Sequence, residues 1–153
     1  MPTVEERVQR LEDLTAIQRL LKELVRACDE PYDADRVAAV FTEEGVMELG
    51  PLGHYEGREA IHTFIAGMSQ RIPFTRHYQT GYLIEIDASG SAATGSWYGF
   101  ETPTLEGRAV FGAFTYRDEY RKVGGRWLIA RLTQTTHFLT PYESGWVKQP
   151  FVW

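Results

Sequence analysis

The aromatic residues are distributed so unevenly that they divide the chain into two parts. Of its 20 Phe, Tyr and Trp residues, only four precede residue 74, and the other 16 lie in the last 80 positions. Aromatic side chains favour strands because they pack well on a pleated surface. The sequence therefore predicts helices in the first half and a β-sheet in the second. Its length fits a single domain over residues 1–153.

The first half of the chain has the hydrophobic period of amphipathic helices. Apolar residues recur three or four positions apart from Val4 to Cys28, with charged residues between them, which predicts one long helix. It should end near Pro31, because proline lacks an amide donor and disfavours helical geometry in the residue before it. The elements predicted for this half are helices over residues 4–28, 33–41 and 58–68, a short strand over 45–49, and a loop or hairpin over 51–57.

After Pro73 the pattern changes to that of strands. Four runs rich in aromatic and β-branched residues, separated by turn signals, cover residues 76–86, 92–102, 108–122 and 126–138. Such short connections join antiparallel neighbours. Three helices followed by this sheet predict an α+β fold, a cone-shaped barrel of a strongly curved, mostly antiparallel sheet covered by the three N-terminal helices. The open end of the cone is where a small ligand would bind.

The last residues, from about 140 to 153, form a C-terminal arm. It carries Tyr142, Trp146, Phe151 and Trp153, which makes it too apolar for a free tail, and it is too irregular to predict a helix or strand. We expect it to pack on the sheet or on a neighbouring subunit.

Composition and motifs exclude several classes of function. The net charge is −5 and no basic run occurs, so no nucleic-acid partner is expected. No stretch of 18 apolar residues is present, so we expect no membrane segment. The single Cys28 cannot form an internal disulfide and no Cys/His cluster has zinc spacing, which favours a reducing, cytoplasmic location and no metal. The absence of a glycine-rich phosphate loop argues against a nucleotide cofactor.

Asp29 is the first candidate for chemistry. It lies four residues after Val25 and eight after Leu21, so a helix that reaches it places it on the apolar stripe. The C-terminus of a helix is unfavourable for a carboxylate that lacks a cationic or donor partner. The alternative is that the helix has frayed by Cys28 and Asp29 bonds a turn amide.

His77 is the second candidate, at the polar start of the first long strand. Inside the cone, with one ring nitrogen held by a carboxylate and the other free, it would be a general base near neutral pH. The alternative is a strand-end histidine in water. His137, at the end of the last strand, is the other histidine that fits a polar position in a pocket.

Five segments of the sequence resemble the SnoaL-like family of the nuclear transport factor 2-like superfamily. They are VFTEEG at residues 40–45, YEGREAI at 55–61, TGSWY at 94–98, YRDEY at 116–120 and GRW at 125–127. Within the family the chain is most similar to the dehydrochlorinase, bile-acid dehydratase and scytalone dehydratase group. Those enzymes pair an Asp at the end of the first helix with a His at the start of the first long strand, where Asp29 and His77 stand here.

The resemblance implies a cofactor-independent lyase or isomerase, dehydratase-like, acting on a hydrophobic cyclic small molecule. His77 would remove a proton from carbon while Asp29 orients it. The dehydrochlorinase has Lys and Arg where Leu24 and Leu132 stand here, so a leaving-group acid must come from elsewhere. The side chains predicted to contact the substrate are Met47, Tyr98, Phe114, Tyr116 and His137, of which the two tyrosines and the histidine are candidates for that acid.

Two further expectations follow. An alternative function on the same frame is a non-catalytic binding or polyketide-cyclase-like protein with the same pocket. The resemblance also implies a homo-oligomer, with a trimer favoured over a dimer.

Overall fold

The structure is a computed structural model that describes residues 1–153. Four helices and seven strands form most of it. The helices are α1 (Val4–Asp29), α2 (Ala34–Ala39), α3 (Arg58–Arg71) and α4 (Gly145–Lys148). The strands are β1 (Phe41–Glu48), β2 (His54–Glu56), β3 (His77–Ile86), β4 (Ala92–Glu101), β5 (Thr104–Leu105), β6 (Arg108–Val123) and β7 (Arg126–Pro141).

The strands form a curved sheet in the order β2-β1-β7-β6-β4-β3, and β5 pairs with β6. Every pairing is antiparallel except that of β1 with β7, which is parallel. α1 packs against β3 and β7, and α3 packs against β1 and β2. The predicted α+β cone, with a mostly antiparallel sheet and three N-terminal helices, is confirmed.

The first helix forms as its period predicts and ends at Asp29. The Thr3 hydroxyl accepts a hydrogen bond from the Glu6 amide, and the Glu6 carboxylate accepts one from the Thr3 amide, so the N-terminus is capped reciprocally. Ile17 and Leu21 are fully buried. Although α1 has 26 residues, no helix in the chain is long and apolar enough to cross a membrane.

The second helix is shorter than predicted. Asp33 caps it, accepting a hydrogen bond from the Arg36 amide, but the helix ends at Ala39. Phe41 instead begins β1, because it pairs with Ile129 of β7 and is completely buried there. Long-range pairing overrides the local helical period, and β1 therefore begins earlier than the predicted strand.

The C-terminal arm packs on its own sheet, one of the two arrangements predicted. After β7 ends at Pro141, the single-turn helix α4 forms where no regular element was predicted. This turn is stabilised by Trp146, which stacks on Phe138 at a ring-centroid distance of 5.0 Å. Phe151 then forms a parallel bridge with Leu139.

Candidate active site

Asp29 and His77 meet where the end of α1 approaches the start of β3. Asp29 Oδ1 lies 2.7 Å from His77 Nδ1 and 3.1 Å from the His77 backbone nitrogen. Because one carboxylate contacts both the ring and the backbone of the same residue, the orientation of the imidazole is fixed. The helix extends to Asp29 rather than fraying at Cys28. The side chains of Asp29 and His77 are 18% and 17% exposed.

A second carboxylate, Glu101, occupies the other side of the ring. Its Oε2 lies 2.8 Å from His77 Nε2, and its side chain is 15% exposed. The expectation that one nitrogen of His77 would be free is therefore wrong. We refer to Asp29, His77 and Glu101 as the triad. Glu101 was not predicted as a site residue, although it is the second-to-last residue of the predicted strand over residues 92–102. That strand forms a hairpin with the strand of His77.

A β-bulge at Gly81 aligns the triad. Strict alternation along β3 would place His77 and Ile84 on opposite faces, yet both face the interior. The register shifts between Thr80 and Leu83, and Gly81 adopts φ +67°, a backbone conformation that glycine adopts without steric cost. The bulge therefore turns His77 inward and sets it directly opposite Glu101.

The two carboxylates determine the charge of His77. Burial opposes the imidazolium, but the contacts with Asp29 and Glu101 outweigh it and raise the pKa of His77 from 6.5 to about 9. His77 is therefore protonated at neutral pH, and the triad carries one positive and two negative groups. No group of three or more His, Cys, Asp or Glu side chains is arranged to hold a metal ion.

Tyr32 is a second side chain near the triad that sequence reasoning missed. Its ring stands edge-on to His77, with centroids 6.3 Å apart and planes at 83°. It adopts φ +57°, which is uncommon for a residue other than glycine. Burial, together with the negative charge of Glu101, raises the pKa of the Tyr32 phenol, so Tyr32 remains a neutral hydrogen-bond donor.

An aromatic stack continues the interior surface beside Glu101. The rings of Trp97 and Tyr116 are parallel, with centroids 3.8 Å apart. Gly99 makes room for them, because a Cβ there would lie 2.7 Å from Tyr116 Cε2. The Tyr116 hydroxyl donates a hydrogen bond to Gln134 Oε1, and burial raises the pKa of this phenol.

The predicted substrate contacts lie on both faces of the sheet. Met47, Phe114 and Tyr116 are buried in the interior. Contrary to the prediction, Tyr98 lies on the outer face and is 58% exposed, because its neighbour Trp97 takes the inward position. His137 also faces outward, where its Nε2 contacts the Thr115 hydroxyl at 2.6 Å.

Three cavities on the surface lie away from the triad. One of about 1190 Å³ lies between α2, β2 and α3, and one of about 900 Å³ lies between α1 and the β6–β7 hairpin. A third, of about 390 Å³, lies on the outer face of the sheet. None of the three is lined by a triad residue.

Comparisons with solved structures identify the same fold in several proteins. Hexachlorocyclohexane dehydrochlorinase LinA, type 2, has a TM-score of 0.82 and 22% identity over 88% of this chain and 92% of that one. A scytalone dehydratase-like protein from Novosphingobium aromaticivorans has a TM-score of 0.81 and 22% identity over 89% of this chain and 91% of that one. A protein from the same organism, described as an aromatic ring hydroxylase, has a TM-score of 0.79 and 28% identity over 86% of this chain and 94% of that one.

At these identities the structural similarity establishes the fold. No curated protein matches the sequence at a significant level. A sequence model of the SnoaL-like domain, however, matches residues 9–133, which span both the helical cover and the long strands. The chain therefore belongs to the SnoaL-like domain family of the nuclear transport factor 2-like superfamily.

Proposed function

We propose that the protein is a cofactor-independent lyase or isomerase, dehydratase-like, that acts on a hydrophobic, cyclic small molecule. The observation that carries this proposal is the 2.7 Å contact between Asp29 Oδ1 and His77 Nδ1 at the edge of an apolar interior. Proteins of the same fold named as a dehydrochlorinase and a scytalone dehydratase support it.

The chemistry is a proton transfer centred on His77. Asp29 holds the ring by Nδ1 and by the backbone amide, which directs Nε2 and its partner Glu101 away from the helix. A base of the triad takes a proton from one carbon of the substrate, and the electron pair of that C–H bond forms a double bond. The leaving group departs from the next carbon with the electron pair of its own bond. In an isomerisation the proton returns to a different carbon.

The interior near the triad favours an uncharged substrate. Leu24 and Leu132 are buried in the interior, so neither position carries a positive side chain that would attract an anion. Met47 and Phe114 add apolar surface. Of the predicted leaving-group acids, Tyr116 is the one that lies in the interior, and its hydroxyl is already a hydrogen-bond donor.

A non-catalytic binding or polyketide-cyclase-like protein is the second candidate. It is favoured by the occupation of both nitrogens of His77, which leaves the imidazole no free atom to accept a proton. Such a protein would bind a hydrophobic ligand without abstracting a proton. Binding of a hydrophobic cyclic compound by the wild-type protein without its turnover would support this second candidate.

The experiment compares wild type with His77→Gln on a panel of neutral cyclic β-hydroxy ketones and β,γ-unsaturated ketones. Formation of the conjugated enone is followed by ultraviolet absorbance. We expect His77→Gln to lower kcat/KM by about 100-fold or more. The matched control is His62→Gln, because His62 lies on the surface of α3 and pairs with Asp35; it should retain wild-type turnover. Equal turnover by His77→Gln would contradict the proposal.

We also propose that the protein is a homo-oligomer, with a trimer favoured, that associates through the outer face of the sheet. Aromatic rings there form a continuous row across β3, β4, β6, β7 and α4, with neighbouring centroids 5.0 to 6.4 Å apart. The members of this row are Tyr78, Phe100, Phe111, Phe138 and Trp146. An exposed apolar surface of this kind marks an interaction site. A monomeric mass in solution would contradict this assembly.

The single cysteine, Cys28, bears on both the reaction and the location of the protein. Burial and the charges of Asp29 and Glu101 raise the pKa of the Cys28 thiol, so Cys28 is not a nucleophile at neutral pH. A chain with one cysteine that forms no disulfide suits a reducing compartment, and we propose a cytoplasmic location.

A further inference from the structure

Within the triad, one carboxylate oxygen has no hydrogen-bond partner in the protein. Both ring nitrogens of His77 contact a carboxylate, and both oxygens of Asp29 lie within 3.4 Å of the His77 backbone nitrogen. Glu101 uses only Oε2, which contacts His77 Nε2. Its Oε1 has no hydrogen-bond donor and is not sealed from solvent. Glu101 therefore presents the accessible basic atom of the site.

We propose that Glu101, rather than His77, exchanges the proton with the substrate carbon, and that His77 and Asp29 position Glu101 and balance its charge. This inference rests on the proposed function and names the proton acceptor of that reaction. His77 becomes a positioning residue that holds Oε2 at 2.8 Å, while Oε1 has no protein partner.

The proposed step balances as follows. The C–H bond of the substrate breaks and its proton bonds to Glu101 Oε1, while the electron pair forms the new C=C bond. The bond between the next carbon and the leaving group breaks, and the leaving group keeps the electron pair of that bond. When the leaving group is hydroxide, the proton on Glu101 then completes a water molecule and Glu101 returns to the carboxylate. In an isomerisation the proton moves from Glu101 to a second carbon.

The charge of the triad supports this assignment. With a protonated His77 between two carboxylates, the three groups carry one excess negative charge in a mostly buried site, and uptake of a proton by Glu101 removes it. Because the pKa of His77 is about 9, only about 1% of this side chain is the neutral imidazole at pH 7. The neutral imidazole is thus rarely present to act as a base, whereas Glu101 Oε1 has no hydrogen-bond donor that would occupy it.

One substitution separates the two possible bases by the sign of its effect. Glu101→Gln keeps the size of the side chain and an oxygen that can accept from Nε2, but removes its charge. Loss of that charge lowers the pKa of His77 and increases the neutral imidazole at pH 7. If His77 were the base, the variant would be faster than wild type; if Glu101 is the base, the variant loses activity.

The probe is 5-nitrobenzisoxazole, a neutral bicyclic aromatic compound. A base removes its C–H proton, the electron pair forms a nitrile as the N–O bond breaks, and the oxygen leaves as a coloured phenolate. We expect Glu101→Gln to reduce kcat at about pH 7 by about 100-fold and Glu101→Asp to recover part of it. His77→Gln should lower kcat with little change in KM. Glu85→Gln, which removes an exposed carboxylate on the outer face of β3, is the control and should match wild type.

The outcomes distinguish this inference from the proposed function. Glu101→Gln turnover that equals or exceeds that of wild type would overturn the role of Glu101 and leave His77 as the base. A wild-type rate no higher than that of a His77→Gln/Glu101→Gln double variant would overturn the proposed function as well. Circular dichroism and thermal unfolding of each variant confirm that a lost rate reflects chemistry and not loss of the fold.

Discussion

Replacing His77 by Gln should change the stability of the protein in a way that depends on pH. The pKa of His77 in the folded chain is about 9, above its ordinary value of 6.5, because the contacts with Asp29 and Glu101 outweigh the effect of burial. The folded state therefore binds a proton more tightly than the unfolded state does. This stabilisation is fully present below pH 6.5 and is lost as the pH rises through about 9.

The size of the effect follows from the two pKa values. Each pH unit between them corresponds to about 1.4 kcal/mol, so protonation of His77 contributes about 3 kcal/mol to the free energy of unfolding at low pH. The side chain is 17% exposed, which is low enough that screening by solvent removes only part of this amount. Such a contribution is a large fraction of the 5–15 kcal/mol that is typical of a domain.

Urea unfolding followed by circular dichroism measures the difference. We expect the free energy of unfolding of wild type, minus that of His77→Gln, to be constant below about pH 6 and then to fall by up to about 1.4 kcal/mol per pH unit until about pH 9. The subtraction removes the titrating groups that do not contact His77. His77→Gln keeps a polar side chain in the site, so the comparison reports the charge.

A difference that stays constant from pH 6 to pH 9 would refute this reasoning, because it would mean that Asp29 and Glu101 do not hold His77 in its protonated form. The control is His62→Gln. The side chains of His62 and Asp35 are 44% and 93% exposed, so this pair should contribute less than about 1 kcal/mol at every pH.

Two further predictions concern the bulge and the assembly. Gly81→Ala should destabilise the protein by about 1–2 kcal/mol in urea unfolding, because φ is +67° there and the added Cβ would lie 2.7 Å from Tyr98 Cδ2; wild-type stability would contradict the need for a bulge. The double variant Tyr78→Ser/Phe100→Ser should sediment as a monomer with an unchanged circular dichroism spectrum, because it removes two rings of the outer aromatic row. Unchanged oligomeric mass would show that this face is not the interface.

The elements that were predicted correctly depend on local patterns. α1 ends at Asp29 because Pro31 follows it. β6 covers the run predicted as a strand over residues 108–122, and its side chains alternate, with Val110, Phe114 and Tyr120 all buried. In each case the relevant information lies within a few neighbouring residues, since helical and strand periods are short. Asp29 and His77 could be paired before the structure because the family places these two residue types at the same points of the fold.

The features that the sequence did not predict depend on how the strands pair. Gly81 and His137 both lie at register shifts, and a bulge reverses which side chains face inward beyond it. At β4, aromatic residues occupy both faces, so composition could not decide between Trp97 and Tyr98. Phe41 lies in β1 and not in the predicted helix, because it pairs with Ile129 of β7, which is distant in sequence.

By itself, the sequence determined the order of helices and strands, the curved sheet they form, and two of the three groups of the triad. The tertiary structure alone decided that Glu101 faces His77, because this depends on a bulge at Gly81 that shifts the pairing of β3 with β4 by one residue. It also decided the charge of His77, since two carboxylates distant in sequence converge on one buried ring. Local periodicity specifies the elements, but register and burial, which are properties of the assembled fold, specify the chemistry of the site.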